Sequence, residues 1–267
     1  VPLAVCATPI GNLEDITLRV LGELRASDVV LCEDTRRTTS LLARHEISAP
    51  LLSYHEHNEA ARTAEVLPRL ERGDRVALVS DAGLPAVSDP GARLIAAALV
   101  RGIPVTVLPG PSAVETALVV SGLVGERYQF LGYLPRRAAE LDALWAELGR
   151  WPYPAVAFES PQRLPGTLAS LAGAQPERRV AVCRELTKRF EEVARGTAAE
   201  LADRFHAPPK GEVTLVFGAV SPPPPDEEAA AGAMEELVAA GLPRRQAAEL
   251  VARLTGVSRN SLYRTGL

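Results

Sequence analysis

From residue 3 to residue 121 the chain repeats one pattern: a short apolar run, a turn rich in Gly, Pro or Asp, then an amphipathic segment. LAVCAT (3–8), VVLCE (29–33), PLLSY (50–54), RVALVS (75–80) and IPVTVLP (103–109) read as strands. Residues 14–25, 35–44, 58–72, 90–100 and 112–121 read as helices between or after them. Alternating strands and helices of this length imply α/β architecture, with a mostly parallel sheet covered on both faces. Ligands of such sheets sit beyond the carboxyl ends of the strands, so the loops that follow strands are where chemistry is expected.

A second block begins near Tyr128. YQFLGYL, PAVAFES (154–160), RRVAVCREL (178–186), FEEVARG (190–196) and GEVTLVFGAV (211–220) read as strands, with helices at 137–149, 161–172 and 197–205. More strands per helix suggest a mixed sheet. SPPPPD (221–226) then interrupts the pattern, and four consecutive prolines make a semi-rigid extended spacer. Beyond it the chain is Ala- and Glu-rich and helical to residue 242, followed by a helix of about ten residues, a turn at Gly256 and a short helix capped by Ser258. The expected organisation is an N-terminal α/β domain (1–122), a C-terminal α+β domain (123–220), a linker (221–226) and a helix-turn-helix-like module (227–267).

Composition narrows the classes. With 267 residues, 47% apolar and 23% charged, the chain is ordinary globular material, and its length suggests more than one domain. The formal charge of −4 argues against coating nucleic acid through bulk charge. The distribution is uneven, however: the last 25 residues carry Arg244, Arg245, Arg253, Arg259 and Arg264 against Glu249, a local +4, which leaves −8 on the rest. An RNA-binding module and a solvated helical hairpin both fit that tail. All but two basic residues, Lys188 and Lys210, are arginines, a bias that runs through the whole chain.

Cys6, Cys32 and Cys183 are widely spaced and each sits in an apolar run, so buried reduced thiols and a cytoplasmic setting are expected. No cysteine pair has metal-ligand spacing, and no metal is expected. The N-terminus has no basic region before its apolar run, and no stretch of about 18 uncharged apolar residues exists, so neither export nor a membrane span is expected. There is no GxxxxGK[ST], which sets aside a P-loop.

Four post-strand loops carry candidate chemistry. TPIGNLEDITLR (8–19) has Gly11 and Asn12 for tight geometry and Asp15 or Thr17 to cap a helix, but it lacks the dinucleotide fingerprint G-x-G-x-x-G. CEDTRRT (32–38) places two acids before two arginines at a strand end; a capped helix start with a local ion pair is the common reason for that pattern. VSDAGLPAVSDPG (79–91) packs two Ser-Asp pairs and two glycines into thirteen residues, suiting a loop around a hydroxylated ligand, with Asp81 as acceptor. LPGPSAVET (108–116) feeds the amides of Ser112 and Ala113 to a helix start, where a carboxylate or hydroxyl can bind.

Taken in order, TPIGNLEDITLR, EDTRRT, HEHNE (55–59), VSDAGLPAVSDPG, PGPSA, FESPQR (158–163), RELTK (184–188) and GEVTLVFG (211–218) resemble the tetrapyrrole methylase-like, class III S-adenosylmethionine-dependent methyltransferases. The resemblance covers residues 3–220 and the appended helices, and EDTR with HxHNE resembles the RNA-modifying branch. FESPQR carries Gln162 where that family usually has His. The resemblance implies methylation of the ribose 2′-hydroxyl of a cytidine in the decoding region of 16S rRNA, on the 30S subunit, by a homodimer. It also implies a donor site between the two domains, formed by Pro9, Ile10, Asp81, Ala82, Gly83, Ser112 and Ala113 and closed by Phe158, Cys183, Glu212, Val213 and Thr214.

A ribose hydroxyl is a poor nucleophile, and a base that takes its proton would help. Glu33, Asp34, Arg36 and His55 are the candidates for catalysis, with Arg36 better suited as a clamp and His55 also readable as a hydrogen-bonded loop histidine. Arg36, Arg37, Arg184, Lys188, Arg244, Arg245, Arg259 and Arg264 are the candidate RNA contacts; Lys188 can equally pair with Glu185 or Glu191. A small-molecule methyltransferase of the same fold, or a non-catalytic RNA-binding protein, are the rival readings.

Overall fold

The computed structural model describes residues 2–220 and 226–264, except for the side chain of Arg264. Of the proline-rich spacer only Asp226 falls within the described residues.

The short apolar runs form the first sheet. Strands β1 (Leu3–Cys6), β2 (Val29–Cys32), β3 (Leu51–Ser53), β4 (Val76–Leu78) and β5 (Val105–Leu108) lie in the order β3-β2-β4-β1-β5, and every pairing is parallel. β1, β2 and β4 are buried on both faces, which is why these runs do not alternate with polar residues, while the edge strands β3 and β5 are only partly covered. Ala4, Cys6, Val30, Cys32 and Ala77 face α1 (Leu18–Ala26) and α2 (Thr35–Arg44). Leu3, Val5, Val29, Leu31, Val76 and Leu78 face α3 (Glu59–Glu71) and α4 (Ala92–Val100). Thr17, not Asp15, caps α1, its Oγ1 accepting from Val20 N at 3.2 Å; Asp15 lies in a preceding 3-10 turn whose cap is Asn12.

The last helix of this half, α5 (Ala113–Ser121), does not cover the first sheet. Its Val114, Ala117 and Leu118 pack with Ile10 and Leu186 onto the second sheet, against Val156, Ala181, Cys183 and Val216.

That sheet holds β6 (Gln129–Tyr133), β7 (Ala155–Glu159), β8 (Arg179–Arg184), β9 (Glu192–Thr197) and β10 (Val213–Phe217) in the order β6-β7-β10-β8-β9. Only the β6–β7 pairing is parallel. Its other face is covered by α6 (Ala138–Leu148), α7 (Leu164–Ala174) and α8 (Ala198–Arg204), through Leu141, Trp145, Leu148, Leu164, Leu168, Leu171 and Leu201. Thr197 and Glu200 start α8 as a reciprocal capping box.

FESPQR is explained by this packing. The carboxylate of Glu159 is fully buried and accepts from Thr167 Oγ1 (2.6 Å) and Ser160 N (2.7 Å), with Arg163 Nη2 at 3.3 Å. Arg163 also donates to the carbonyls of Leu134 and Pro135, tying the end of β6 to the start of α7. Gln162 is exposed.

Both sheets belong to one compact unit, Val1–Ala219, and the remaining helices to a second, Val220–Leu267. In the second unit α9 (Glu227–Ala239), α10 (Arg244–Thr255) and α11 (Arg259–Arg264) enclose Ala230, Met234, Ala247, Ala248, Val251, Val257 and Leu262. Gly256 ends α10 in the left-handed conformation, and Ser258 accepts from Ser261 N at 3.1 Å. Among the described residues no helix is long and apolar enough to cross a membrane.

Removing Arg163 leaves the Glu159 carboxylate buried without its cation. Arg163→Ala is therefore expected to lower stability by about 3 kcal/mol. Urea denaturation checks this, and Glu159→Gln added to Arg163→Ala should recover part of the loss.

Candidate functional site

Three loops at the carboxyl ends of β1, β4 and β5 are clasped together. Thr8 and Gly83 exchange backbone hydrogen bonds (2.8 and 3.0 Å), Thr8 Oγ1 donates to Ser80 O at 3.0 Å, and Ala7 N donates to Leu108 O at 3.1 Å. A Cβ on Gly83 would stand 3.7 Å from Pro111 O and 3.8 Å from Ile10 Cγ2, so Ile10, Gly83 and Pro111 converge on one spot. Ser112 occupies the N-cap of α5 without making a side-chain cap bond to the helix amides; its hydroxyl pairs with Glu115 instead. Hydrogen bonds from Ser112 and from Tyr128 (2.5 Å) hold Glu115 below the usual carboxylate range, outweighing a desolvation that acts the other way.

The second sheet meets these loops along one row. Tyr133, Phe158, Thr214, Cys183 and Val193 stand side by side across β6, β7, β10, β8 and β9. Phe158 and Cys183 belong to the face packed by α5, whereas Val213 points into the opposite core beneath α6 to α8. Cys183 is buried, its thiol directed at Ala117 O and pushed up to about 12 by burial. Cys6 behaves in the same way, and all three thiols are free and buried.

The loop after β1 rests on the RELTK segment. Asn12 N donates to Thr187 Oγ1 at 3.0 Å, and a Cβ on Gly11 would lie 2.6 Å from both Leu186 O and Lys188 Cγ, a gap only glycine fits. Lys188 Nζ is held by Glu185 (2.9 Å) and Glu212 (3.0 Å), so its expected pairing with Glu185 is present. Arg184 is likewise engaged internally, with Glu192 at 2.6 Å and with the carbonyl of Lys210.

Charged residues gather beyond β2 and β4. Asp34 caps α2 through Arg36 N (2.8 Å) and pairs with the Arg36 guanidinium (3.0 Å); these bonds hold its carboxyl down at about 2. Arg36 and Arg37 are both exposed, and Arg37 reaches Asp81 at 3.3 Å. Asp81 also accepts from Asp34 N at 3.0 Å, so it clips the β4 loop to the β2 loop. Two carboxyls are raised: Glu33, by burial and then by Asp81, and Asp89, pushed to about 6 by burial and then by Glu33. His55 Nε2 lies 3.1 Å from the Asn58 side-chain amide, and its Nδ1 is buried without a partner. Thus the candidate carboxylates Glu33 and Asp34 differ: Asp34 is a cap and an ion-pair partner held low, while Glu33 is raised above the usual carboxylate range and Asp89 to about 6.

Within VSDAGLPAVSDPG the sequence singles out Asp81 as acceptor and not Asp89, because nothing local marks Asp89 for desolvation; Tyr133 reads as one position of an apolar strand. Among the tail arginines, Arg244 pairs with Glu235 (3.0 Å), while Arg245 (3.5 Å) and Arg259 (3.2 Å) share Glu249; the side chain of Arg264 lies outside the described residues. A groove of about 740 Å³ lined by Trp145, Ser170, Gly173 and Gln175 lies between α6 and α7, on the other side of the second sheet from α5.

This arrangement fits a methyl donor with adenosine and amino-acid ends: Gly83 leaves a cradle that a Cβ would fill, amides are presented at the α5 start, and Phe158 offers an apolar wall. Residues 2–202 match the family model described as Tetrapyrrole (Corrin/Porphyrin) Methylases, and residues 225–267 match the one described as RsmI C-terminal HTH domain. The chain belongs to the tetrapyrrole methylase family and is a methyltransferase.

Within that family it is 44% identical over 269 residues to ribosomal RNA small subunit methyltransferase I of Mesorhizobium japonicum, covering 98% of this chain and 90% of the relative. The Thermotoga maritima protein of the same name is 45% identical over 215 residues, 80% of this chain and 96% of its own length. The fold is shared with solved structures of low identity. Diphthine synthase has a TM-score of 0.65 at 14% identity, covering 81% of this chain and 89% of that one. The uroporphyrin-III C-methyltransferase of Thermus thermophilus complexed with S-adenyl homocysteine has 0.58 at 17%, covering 82% and 98%.

A carboxyl raised by the fold favours its protonated form. Asp89 therefore contributes stability at low pH that is lost as pH rises through about 6. Replacing it by Asn should leave stability unchanged below about pH 4 and raise it at pH 8, by about 1 kcal/mol for a group that solvent partly screens. Melting temperatures of the two proteins across this range test the sign: a difference that does not widen with pH would contradict it.

Proposed function

We propose that this chain transfers the methyl group of S-adenosylmethionine to the ribose 2′-hydroxyl of a cytidine in the decoding region of 16S rRNA, with the assembled 30S subunit as substrate. What carries this reading is the near full-length identity to relatives named for the small-subunit RNA, together with the helix-turn-helix match at residues 225–267. The domain division 1–122, 123–220, 221–226 and 227–267 belongs to the same reading, with the last segment approaching RNA. So do a cytoplasmic setting and a homodimer formed through apolar faces of the first domain.

In this scheme Pro9, Ile10, Asp81, Ala82, Gly83, Ser112 and Ala113 hold the donor from the first sheet, and Phe158, Cys183, Glu212 and Thr214 bound it from the second; Val213, whose side chain lies in the opposite core, offers only its backbone. Cys183 acts through packing, since its thiol is neutral and buried. The donor supplies a methyl group on an already activated sulfonium, so no metal is called for. The protein's share is to align the attacking oxygen and exclude water, worth roughly 7–11 kcal/mol of barrier. Glu33 or Asp89 takes the hydroxyl proton, a contribution of about 10²–10⁴ in rate. Asp34 orients Arg36 and starts α2. Arg36 and Arg37 are exposed to meet phosphate, while His55, held by Asn58, sits beside Glu33 in the same loop cluster. Arg184 and Lys188 shape the RELTK loop through their ion pairs and present its outer edge to RNA. Arg244, Arg245, Arg259 and Arg264 give the tail its basic face.

Transfer of labelled methyl to isolated 30S subunits and to naked 16S rRNA, followed by ribose-methylation mapping, tests the reaction and the substrate together. Labelling of neither RNA form, or labelling on a base, would refute it. Asp81→Ala is expected to lose donor affinity by calorimetry, whereas Arg36→Ala should abolish subunit methylation with donor binding intact.

The Thermotoga relative is matched along 96% of its length by only 80% of this chain, which leaves unmatched about as many residues as the helical unit contains. Truncation after Pro225 should accordingly preserve the chemistry at low salt and weaken capture of subunits as salt rises. Full activity of the truncated protein at every salt concentration would exclude a role in RNA capture.

A further inference from the structure

A one-residue bulge interrupts β6. Gln129 and Phe130 pair with Ala155 and Val156, but Phe158 is paired with Tyr133 instead of Gly132. Side chains alternate along a strand, so a single extra residue moves everything after it to the opposite face. Without the bulge Tyr133 would point into the core under α6 and α7. With it, Tyr133 joins Phe130 and Phe158 on the face that meets the loops of the first sheet. Gly132 makes this possible with φ +66, a left-handed conformation that side chains rarely adopt, and Ser88 lies on that side of it, its hydroxyl 3.9 Å from where a Cβ would stand.

The result is a supported but uncovered ring. Phe158 lies edge-on to Tyr133 at 5.6 Å and to Phe130 at 5.0 Å, yet Tyr133 is 65% exposed. A strand residue redirected by a bulge and then left open to solvent adds little to the core, so its position calls for a partner. The charges around it select the kind of partner. Glu212, Asp89, Glu159 and Glu33 all act on the ring as negative neighbours. A phosphate would be repelled there, whereas a neutral heteroaromatic base would be accepted by stacking. Glu33 and Asp89 are among those negative neighbours, and both are carboxyls that burial raises.

We propose that Tyr133 is the platform on which the base of the target nucleotide stacks, placing the ribose hydroxyl for methylation. This rests on the RNA-methylation reading above and adds the residue that orients the substrate.

The test compares wild type with Tyr133→Phe, Tyr133→Trp and Tyr133→Leu in methyl transfer to 30S subunits, with calorimetry of S-adenosylhomocysteine and melting temperature measured on each. Phe and Trp should keep kcat/KM within about threefold, because any flat ring serves. Leu should lower it by about 10- to 100-fold, with donor affinity and melting temperature unchanged. The Trp variant should also show fluorescence quenching when subunits bind. Two outcomes overturn the platform while leaving the RNA reading intact: a Leu variant with wild-type kcat/KM, or one that loses donor affinity in step with activity, which would make Tyr133 part of the donor wall. A wild-type protein that transfers no methyl to subunits overturns both.

Discussion

The site depends on where α5 packs. Its sequence position, directly after the last strand of the parallel sheet, would ordinarily make it a cover for that sheet. Instead Val114, Ala117 and Leu118 are buried against Val156, Ala181, Cys183 and Val216 of the second sheet. Ile10 from the loop after β1 and Leu186 from RELTK lie in the same apolar cluster. Detaching the two sheets would expose all of these side chains, at about 25 cal/mol for each Å² of apolar surface. The loops that carry the candidate chemistry are therefore pinned by hydrophobic contacts made a few residues away. Thr8 to Gly83 and Asn12 to Thr187 are the polar stitches that finish the alignment.

Much of this was legible from pattern alone. The five apolar runs of the first half are β1 to β5, each within a few residues of its expected limits, because a strand buried on both faces announces itself by uninterrupted hydrophobicity. The helix expected at 35–44 has those limits, fixed by Asp34 as cap and His45 at its end. What pattern could not supply was parity and partnership. YQFLGYL reads as a plain strand, and nothing in it states that Gly132 shifts Tyr133 to the other face. Val213 is near the loops in sequence yet points away from them, because its neighbour Thr214 occupies the facing position. Asp89 and Asp81 look equivalent as two Ser-Asp pairs. Folding separates them, since Asp81 gains Arg37 and an amide while Asp89 is desolvated beside Glu33.

Counting charges was the weakest guide. RELTK and the tail look like open basic surfaces when read as text. In the folded chain Arg184 and Lys188 are struts between strands and loops, and Arg244, Arg245 and Arg259 each have a glutamate within reach. The exposed pairs of the tail are worth little in stability, whereas those of Arg184 and Lys188 are partly buried and fix the RELTK loop. Arg36, held by Asp34 yet nine-tenths exposed, is oriented before any ligand arrives.

Four of the five described non-glycine residues with left-handed backbone lie on two of the site loops: Ala86 and Ser88 in the β4 loop, and Glu185 and Thr187 in RELTK; the fifth, Glu46, follows α2. Each costs conformational energy and persists only where neighbours over-determine it. Ala86 N is fixed by Pro90 O, Thr187 N by the Glu191 carboxylate, and Glu185 accepts from both Lys188 and Glu212 N. The Gly132 bulge lies on the side of β6 toward Ser88, so an irregular strand and a strained loop are neighbours. Regular packing of α5 supplies the stability that these irregularities draw upon. Relaxing the bulge would return Tyr133 to the core face of its sheet while the fold remained.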